Sequence, residues 1–579
     1  MPATDNKIKF PPAPDAKVII FLIFLVALVV KLLIFYLVTD PIIFYKYPYF
    51  SEQIAQGKDI GERLVDISPL YLSLNLLSYY VYGTNWEALV LIQIIIGSLN
   101  CVLIYIIGAK VFNKTVGIIS ALLAMFYSNL TLIDLTLEPE AILIFFNSLI
   151  VLVALKAVEA VSARKQSALW LLTGLLMGLS IITKPNSLLV SAGVLIWLWL
   201  KATAINLRVK WSLVMLAGVI VVVAPVAIRN YVKFNDFVLV TADGGKVFFH
   251  GNGPGADGMG MAGLPHQGFI EEGAKEPDYA HVLFRKQARL ASGKNLKPSE
   301  CASFWVRTTL SHIKSNFPSW LYLELKKFCF FGKGYEAHDI DSNYKNYLAL
   351  CGKPLIGFGV IALFGVIGMA LSLGRIRRAF LLYWMILTYF ATVMIFFASS
   401  RYRIPAAPFL AIFAAFAIHQ IFDFIRRKKI KETGAVFICL FLLGAGSHYC
   451  FREEIAGYDR WQMATRLYYS MGGNLPFKRG RYAEARDNLK RAVALAPDFA
   501  PAYNNLLGKT SAILGDYTEA ETGFLKVIEL VPDLEEGYVN LGLLYKLQGD
   551  DKKAAVCLKR ALEINPDNQK IKDLNRSPR

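Results

Sequence analysis

The chain has 579 residues, 55% of them hydrophobic and only 18% charged, with a mean hydropathy of +0.43. Too few polar side chains remain to solvate an ordinary soluble surface, so lipid must be the solvent for much of it. The formal charge of +18 falls mainly in short clusters between apolar runs, the pattern of membrane topology and not of nucleic-acid binding. The seven cysteines are scattered singly and the seven histidines lack ligand spacing, so neither a zinc site nor a redox motif is indicated and no disulfide framework is legible.

A spanning helix needs about 20 apolar residues. The first run, Val18 to Val38, is too long for a signal-peptide core and lacks a small-residue cleavage pattern, so it reads as an uncleaved span. Further candidates centre on 86–108, 115–134, 138–156, 168–183, 186–200 and 211–228, then on 355–374, 379–398, 404–425 and 434–450, making about eleven crossings. Alternate loops hold Lys110 and Lys114, Arg164 and Lys165, Lys201, Arg208 and Lys210, Arg375, Arg377 and Arg378, and Arg426 to Lys429. Positive loops stay inside, which makes this side cytoplasmic. The opposite short turns hold only Lys184, Arg401 and Arg403, charges that topology does not explain and function can. With this sidedness, the segment 229–353 and everything after Cys450 face outward. The expectation is a multi-pass protein of a bacterial inner (cytoplasmic) membrane. Its N-terminal spans occupy 1–228 with a first outer loop at 39–85, an extracytoplasmic mixed loop domain fills 229–353, and further spans fill 354–450.

Beyond the last span, Pro497, Pro532 and Pro566 are separated by 35 and 34 residues, and Gly480, Gly515 and Gly549 repeat the same intervals. This is tetratricopeptide (TPR) spacing. Tyr482 and Ala485 recur as Tyr517 and Ala520, while Tyr503 and Leu506 recur as Tyr538 and Leu541. An α-solenoid over 466–568 is expected, with two clear units and a third, distorted one beginning near Arg466 that has Pro476 inside its first helix. The array holds no catalytic constellation and reads as a groove for a protein partner.

The outward ends of the spans carry polar residues at a membrane boundary, where they need a reason. Asp40, Glu52, Asp59, Glu62 and Asp66 follow the first span, Glu138 and Glu140 flank Pro139 before the fourth, and Lys184-Pro185-Asn186 follows the fifth. Arg229-Asn230 follows the seventh and Arg401-Tyr402-Arg403-Ile404-Pro405 the ninth. Glu336, between Tyr335 and Ala337, is expected in a solvated loop. Gly251-x-Gly253 has a dinucleotide-binding look but no strand-helix-strand unit around it, and reads as a turn shaping the outer segment.

Over roughly 18–425 the chain resembles the protein O-mannosyltransferase and aminoarabinose-transferase superfamily, polyprenyl-phosphate-dependent glycosyltransferases of the GT-C fold. The residues that carry the resemblance are Ile54-Ala55-Gln56-Gly57, Ser68-Pro69-Leu70-Tyr71, Thr183-Lys184-Pro185-Asn186, Ile228-Arg229-Asn230-Tyr231, the glycine-rich run from Gly251 to Gly258, Ser299-Glu300 with Phe304-Trp305, and Arg401 to Pro405. It implies an all-α membrane domain, a sugar donor on a polyprenyl phosphate, an extracytoplasmic acceptor, and an acid of the first outer loop as general base. A carboxylate suits that role, and Arg or Lys suits a departing phosphate. The family's first-loop Asp falls at Ile43 here, so Asp40 is assigned as base, with Glu52 and Asp66 as alternatives. Glu138 and Glu140 take the family's second acidic position, and Lys184, Arg229, Arg401 and Arg403 the donor phosphate. A single displacement would invert the anomeric centre. The sequence fixes no cofactor: some related membrane glycosyltransferases use a divalent metal, and the acids here are of a type that could bind one. The competing expectations are a non-catalytic membrane anchor presenting the TPR array as an envelope scaffold, a polymerase or ligase of lipid-linked glycans, and a transporter, for which the paired broken helices are missing.

Overall fold

The computed structural model describes residues 15–37, 46–202, 204–259, 280–336, 355–466, 476–477, 480–495 and 501–565. Among these residues the regular elements are helices, and one isolated parallel bridge joins Tyr127 to Ile356. The first apolar helix is α1 (Ala16–Leu37), and the segment expected to form the first outer loop holds α2 (Lys46–Ala55) and α3 (Pro69–Tyr82). Next come α4 (Glu87–Val111) and a crossing broken at Tyr127 into α5 (Lys114–Phe126) and α6 (Ser128–Asp134). The next four crossings are α7 (Glu140–Glu159), α8 (Ala163–Thr183), α9 (Ser187–Lys201) and α10 (Ile205–Phe234). The outer segment, expected to be mixed, is helical wherever it is described: α11 (Gly244–Asn252), α12 (Ala280–Ser292), α13 (Pro298–Ser315) and α14 (Phe317–Gly332).

The membrane domain resumes with α15 (Phe358–Leu371) and α16 (Ile376–Ile395), a short turn of helix α17 (Ser400–Arg403), then α18 (Ala407–Arg426) and α19 (Ile430–Tyr449). Each expected span overlaps an apolar helix, and the third overlaps two, α5 and α6. Eight helical stretches among the described residues are long and apolar enough to cross a membrane, and α5, α9 and α15 are shorter apolar helices. Small residues let the helices touch backbone to backbone, as bundles in lipid require: a Cβ on Gly174 of α8 would lie 2.1 Å from the Met215 carbonyl of α10.

Lys110 pairs with Glu159, and Arg378 donates to the Lys110 carbonyl at 2.7 Å, so the basic ends of α4, α7 and α16 gather on one side. In the carboxyl-terminal region, α20 (Arg452–Arg466) and α21 (Tyr482–Leu495) precede two helix pairs, α22 (Pro501–Ile513) with α23 (Tyr517–Leu530) and α24 (Glu535–Gln548) with α25 (Asp551–Ile564). Gly480, Gly515 and Gly549 take φ of +73°, +83° and +81°, the left-handed turn that lets each helix fold back on its neighbour. Pro497 and Pro566 lie outside the described residues.

Inside the membrane domain, Lys31 of α1 meets Asp134 at the end of α6 at 2.5 Å, with side-chain exposures of 0% and 5%. The contact needs Gly97 on α4, where a Cβ would lie 2.0 Å from Asp134 Oδ2. Asp134→Asn leaves Lys31 charged and unpaired, and is expected to lose about 3–5 kcal/mol of stability, read as a lower thermal unfolding midpoint in detergent. Adding Lys31→Met should restore most of that loss. A double variant no more stable than Asp134→Asn would show that the lone charge is not the cause.

Candidate active site

The site begins at the two turns that open α7 and close α8. Pro139 occupies the N-cap of α7, so Glu138 stands in the turn ahead of the span and Glu140 at its first position. Pro185 disfavours helical backbone in the residue before it. Lys184 accordingly leaves α8 in an extended conformation, at φ −148° and ψ 124°, and its ammonium forms an ion pair with Glu140. Across from it, Ser399 caps α17 and Arg401 reaches Glu138 Oε2 at 3.4 Å. The carboxylate side chains are 2% and 0% exposed, the Arg401 and Lys184 side chains 21% and 18%. Acids therefore form the floor and cations the accessible lip.

Each acid also keeps a buried oxygen, Glu138 Oε1 and Glu140 Oε2, that accepts no hydrogen bond among the described residues. Two such carboxylates side by side are tolerable only with cations beside them. Burial pushes the Glu138 carboxyl above its ordinary range while Arg401 opposes it and Glu140 adds to it. Tyr47 of α2 closes the site from the first outer loop. Burial, with Glu138 and Glu140 nearby, pushes its phenol well above the ordinary value, so it remains a hydrogen-bond donor. Its ring sits 4.7 Å from Tyr71, edge to face. Tyr71 donates to Gln93 at 2.5 Å, and Gln93 donates to the Thr136 carbonyl at 2.7 Å. The turn carrying Glu138 is thus braced from α3 and α4. On the other flank the Tyr402 ring lies 5.4 Å from the Lys184 ammonium.

The remaining expected residues are distributed differently. Asp40 lies outside the described residues. Glu52 is half-buried on α2. Asp66 is buried and paired with Arg285, with Arg63 at 3.4 Å and His281 at 3.7 Å. Arg285 also bonds Glu62 at 3.3 Å, and His281 bonds Asp243 at 3.1 Å, so Asp66 ties the first outer loop to α11 and α12. Arg229 spends its guanidinium on the neighbouring Asn230, at 2.8 and 3.2 Å.

Arg403 does not fit the phosphate contact expected of it. It is 3% exposed and donates to the carbonyls of Phe330 at 3.0 Å and Lys333 at 2.8 Å, to that of Tyr335, and to Glu336 at 3.0 Å. Glu336 corrects the expectation of a solvated loop. It is 1% exposed and accepts from Tyr127 at 2.9 Å and Asn129 at 3.0 Å. The glycine-rich run is also more than a turn: Gly251 packs so closely on α16 that a Cβ would lie 1.9 Å from the Phe396 carbonyl. Sequence reasoning passed over Lys31, Gln93 and Asp134, although lone polar residues inside apolar runs are themselves a signal.

Residues 66–228 match the family model described as dolichyl-phosphate-mannose-protein mannosyltransferase, and residues 535–568 match the tetratricopeptide repeat. No curated protein matches the chain. Similar solved structures include the Archaeoglobus fulgidus oligosaccharyltransferase in its apo form, at 12% identity and a TM-score of 0.42, covering 92% of this chain and 72% of that one. The same enzyme tethered to an acceptor peptide aligns at 13% identity and a TM-score of 0.43 (93% and 72%). Its complex with an inhibitory peptide and a dolichol-phosphate aligns at 14% and 0.42 (93% and 72%). Likeness at this level fixes neither substrate nor chemistry. The matched segment holds Glu138, Glu140 and Lys184, and the chain is a multi-pass membrane protein with one segment similar to the dolichyl-phosphate-mannose-protein mannosyltransferase family model and, towards its carboxyl end, one similar to the tetratricopeptide repeat.

Proposed function

We propose that the protein is a membrane glycosyltransferase that moves a sugar from a polyprenyl-phosphate donor to an extracytoplasmic acceptor, with inversion at the anomeric carbon. The observation that carries this reading is the pair of buried acids, each holding an exposed-side cation from a separate segment and each keeping one oxygen free. Lys184 and Arg401 suit a lipid phosphate at the membrane boundary. The free oxygens of Glu138 and Glu140 suit hydroxyls of the sugar or acceptor. Asp40 is assigned as the base, six residues before the start of the helix that brings Tyr47 to Glu138 and Glu140. It takes the proton of the acceptor O–H or N–H as the acceptor bonds to the anomeric carbon. The bond from that carbon to the phosphate oxygen breaks, and the lipid phosphate leaves with the electron pair. Asp66 and Glu52 are the weaker candidates, Asp66 because arginines already engage it. Arg403 acts as a positioning residue that holds the outer segment beneath Arg401.

The same proposal places the outer segment and the TPR repeats outside the cytoplasmic membrane of a bacterium, the repeats binding a protein partner. The basic helix ends gathered around Lys110 and Arg378 lie opposite the Glu138 site, and positive ends stay inside. A reporter active only in the cytoplasm, fused after Arg579, should therefore be silent. Strong activity would reverse the sidedness and move the site to the wrong face.

The assignment of roles is tested by sugar transfer from a polyprenyl-phosphate donor with purified protein in detergent. Asp40→Asn should slow transfer by roughly a hundredfold to ten-thousandfold and leave donor binding intact. Arg401→Ala and Lys184→Ala should instead weaken donor binding, by about 2–5 kcal/mol for a desolvated charge pair. Wild-type rates for Asp40→Asn, Glu52→Gln and Asp66→Asn alike would overturn the base assignment. Failure of the intact protein to bind the donor would favour a non-catalytic scaffold.

A further inference from the structure

The last span, α19, ends at Cys450, and the chain enters α20 through Phe451 at φ +51°, a left-handed conformation that a bulky residue adopts only under constraint. The constraint comes from α14 of the outer segment. The Phe451 ring lies 5.9 Å from Tyr322 and 5.7 Å from Phe330, edge to face. Lys326 sits 5.7 Å from the same ring and pairs with Glu454 at 3.4 Å. Lys333 donates to the Cys450 carbonyl. Within this seam two half-buried cysteines are brought together: Cys329 on α14, next to Phe330, and Cys450, next to Phe451, the two rings packing on each other and the Cys450 carbonyl taking the Lys333 ammonium.

We propose that Cys329 and Cys450 form a disulfide, a covalent staple between the outer segment and the start of the stalk that carries the repeats. The proposal rests on the sidedness given above, which puts both thiols in an oxidising compartment. The oxidant is a protein disulfide of the dithiol–disulfide oxidoreductase class. One cysteine thiolate attacks its disulfide, giving a mixed disulfide and releasing one oxidoreductase thiolate. The second cysteine thiolate then attacks the mixed disulfide, forming the Cys329–Cys450 bond and releasing the other. Two electrons and two protons pass to the oxidoreductase, which leaves as a dithiol.

Burial and the neighbouring Cys450 push the Cys329 thiol up to about 11, with Lys333 opposing. So little thiolate makes uncatalysed oxidation slow, which is why an enzymatic oxidant fits. The staple would lie beside the Phe330 and Lys333 carbonyls that hold Arg403, and so would secure the ground on which α17 rests.

The test uses full-length protein, taken from membranes into a blocking maleimide without reductant and then digested. Mass spectrometry should find one cross-linked peptide pair containing Cys329 and Cys450, split by reductant. In Cys329→Ser the Cys450 peptide should instead carry maleimide. Finding both cysteines blocked in the unaltered protein would overturn the staple. The carboxyl-terminal reporter separates the causes: a silent reporter leaves the sidedness standing while the bond fails, and an active one removes both.

Discussion

Every charge taken into the membrane domain has to meet its opposite, because an ion left alone in a low-dielectric interior costs several kcal/mol. Four pairs meet this demand: Lys31 with Asp134, Lys184 with Glu140, Arg401 with Glu138, and Arg403 with Glu336. Each joins segments distant in sequence. In water such bonds would add little, but here they decide which helix ends can come together, since any other arrangement leaves a buried charge unpaired.

The pairs also depend on one another. Lys31 fixes the end of α6 through Asp134, and Gln93 takes up the Asp134 and Thr136 carbonyls at 3.3 and 2.7 Å. That holds the backbone two residues before Glu138. Tyr71 orients Gln93, and Tyr47 packs on Tyr71, so the first outer loop is referenced to the same turn. The consequence is a site whose acids are rigid and buried while its cations retain access to the outside. On the function proposed above, an incoming phosphate would meet Lys184 and Arg401 first and require no rearrangement of the floor, which is the preorganisation that electrostatic catalysis needs.

Much of this was legible in the sequence. Apolar length predicted the apolar helices, and proline and glycine spacing predicted the repeats, because both follow from local geometry that a short window contains. Glu138, Glu140, Lys184 and Arg401 could be nominated together because charges on a face otherwise poor in them need explaining. The pairing of those four could not be read, since which acid meets which cation is set by the approach of α7, α8 and α17, elements far apart in the chain. Glu336 was misplaced for the same reason: its local sequence is polar, and only the return of α14 towards Tyr127 and Asn129 buries it. The break of the third crossing at Tyr127 was hidden as well, because the apolar run continues through it, and the bridge to Ile356 comes from the far side of the outer segment.

Arg401 and Arg403 show how finely local geometry divides roles that composition leaves equal. Two residues apart on a helix, side chains point about 200° from each other. The turn of helix at Ser400–Arg403, started by the Ser399 cap and carried on through the tight turn at Ile404–Ala406, therefore cannot present both to one ligand. One guanidinium turns to Glu138 and keeps some exposure. The other turns under the outer segment, where carbonyls of Phe330, Phe331 and Lys333 enclose it and the Phe358 ring stacks 4.0 Å away. Shortening the spacing to adjacent residues or lengthening it to a full turn would change that division, so the two-residue interval matters in itself: it lets one short element hold carbonyls of the segment around Phe330 with one arginine while the other pairs with Glu138 and stays partly exposed.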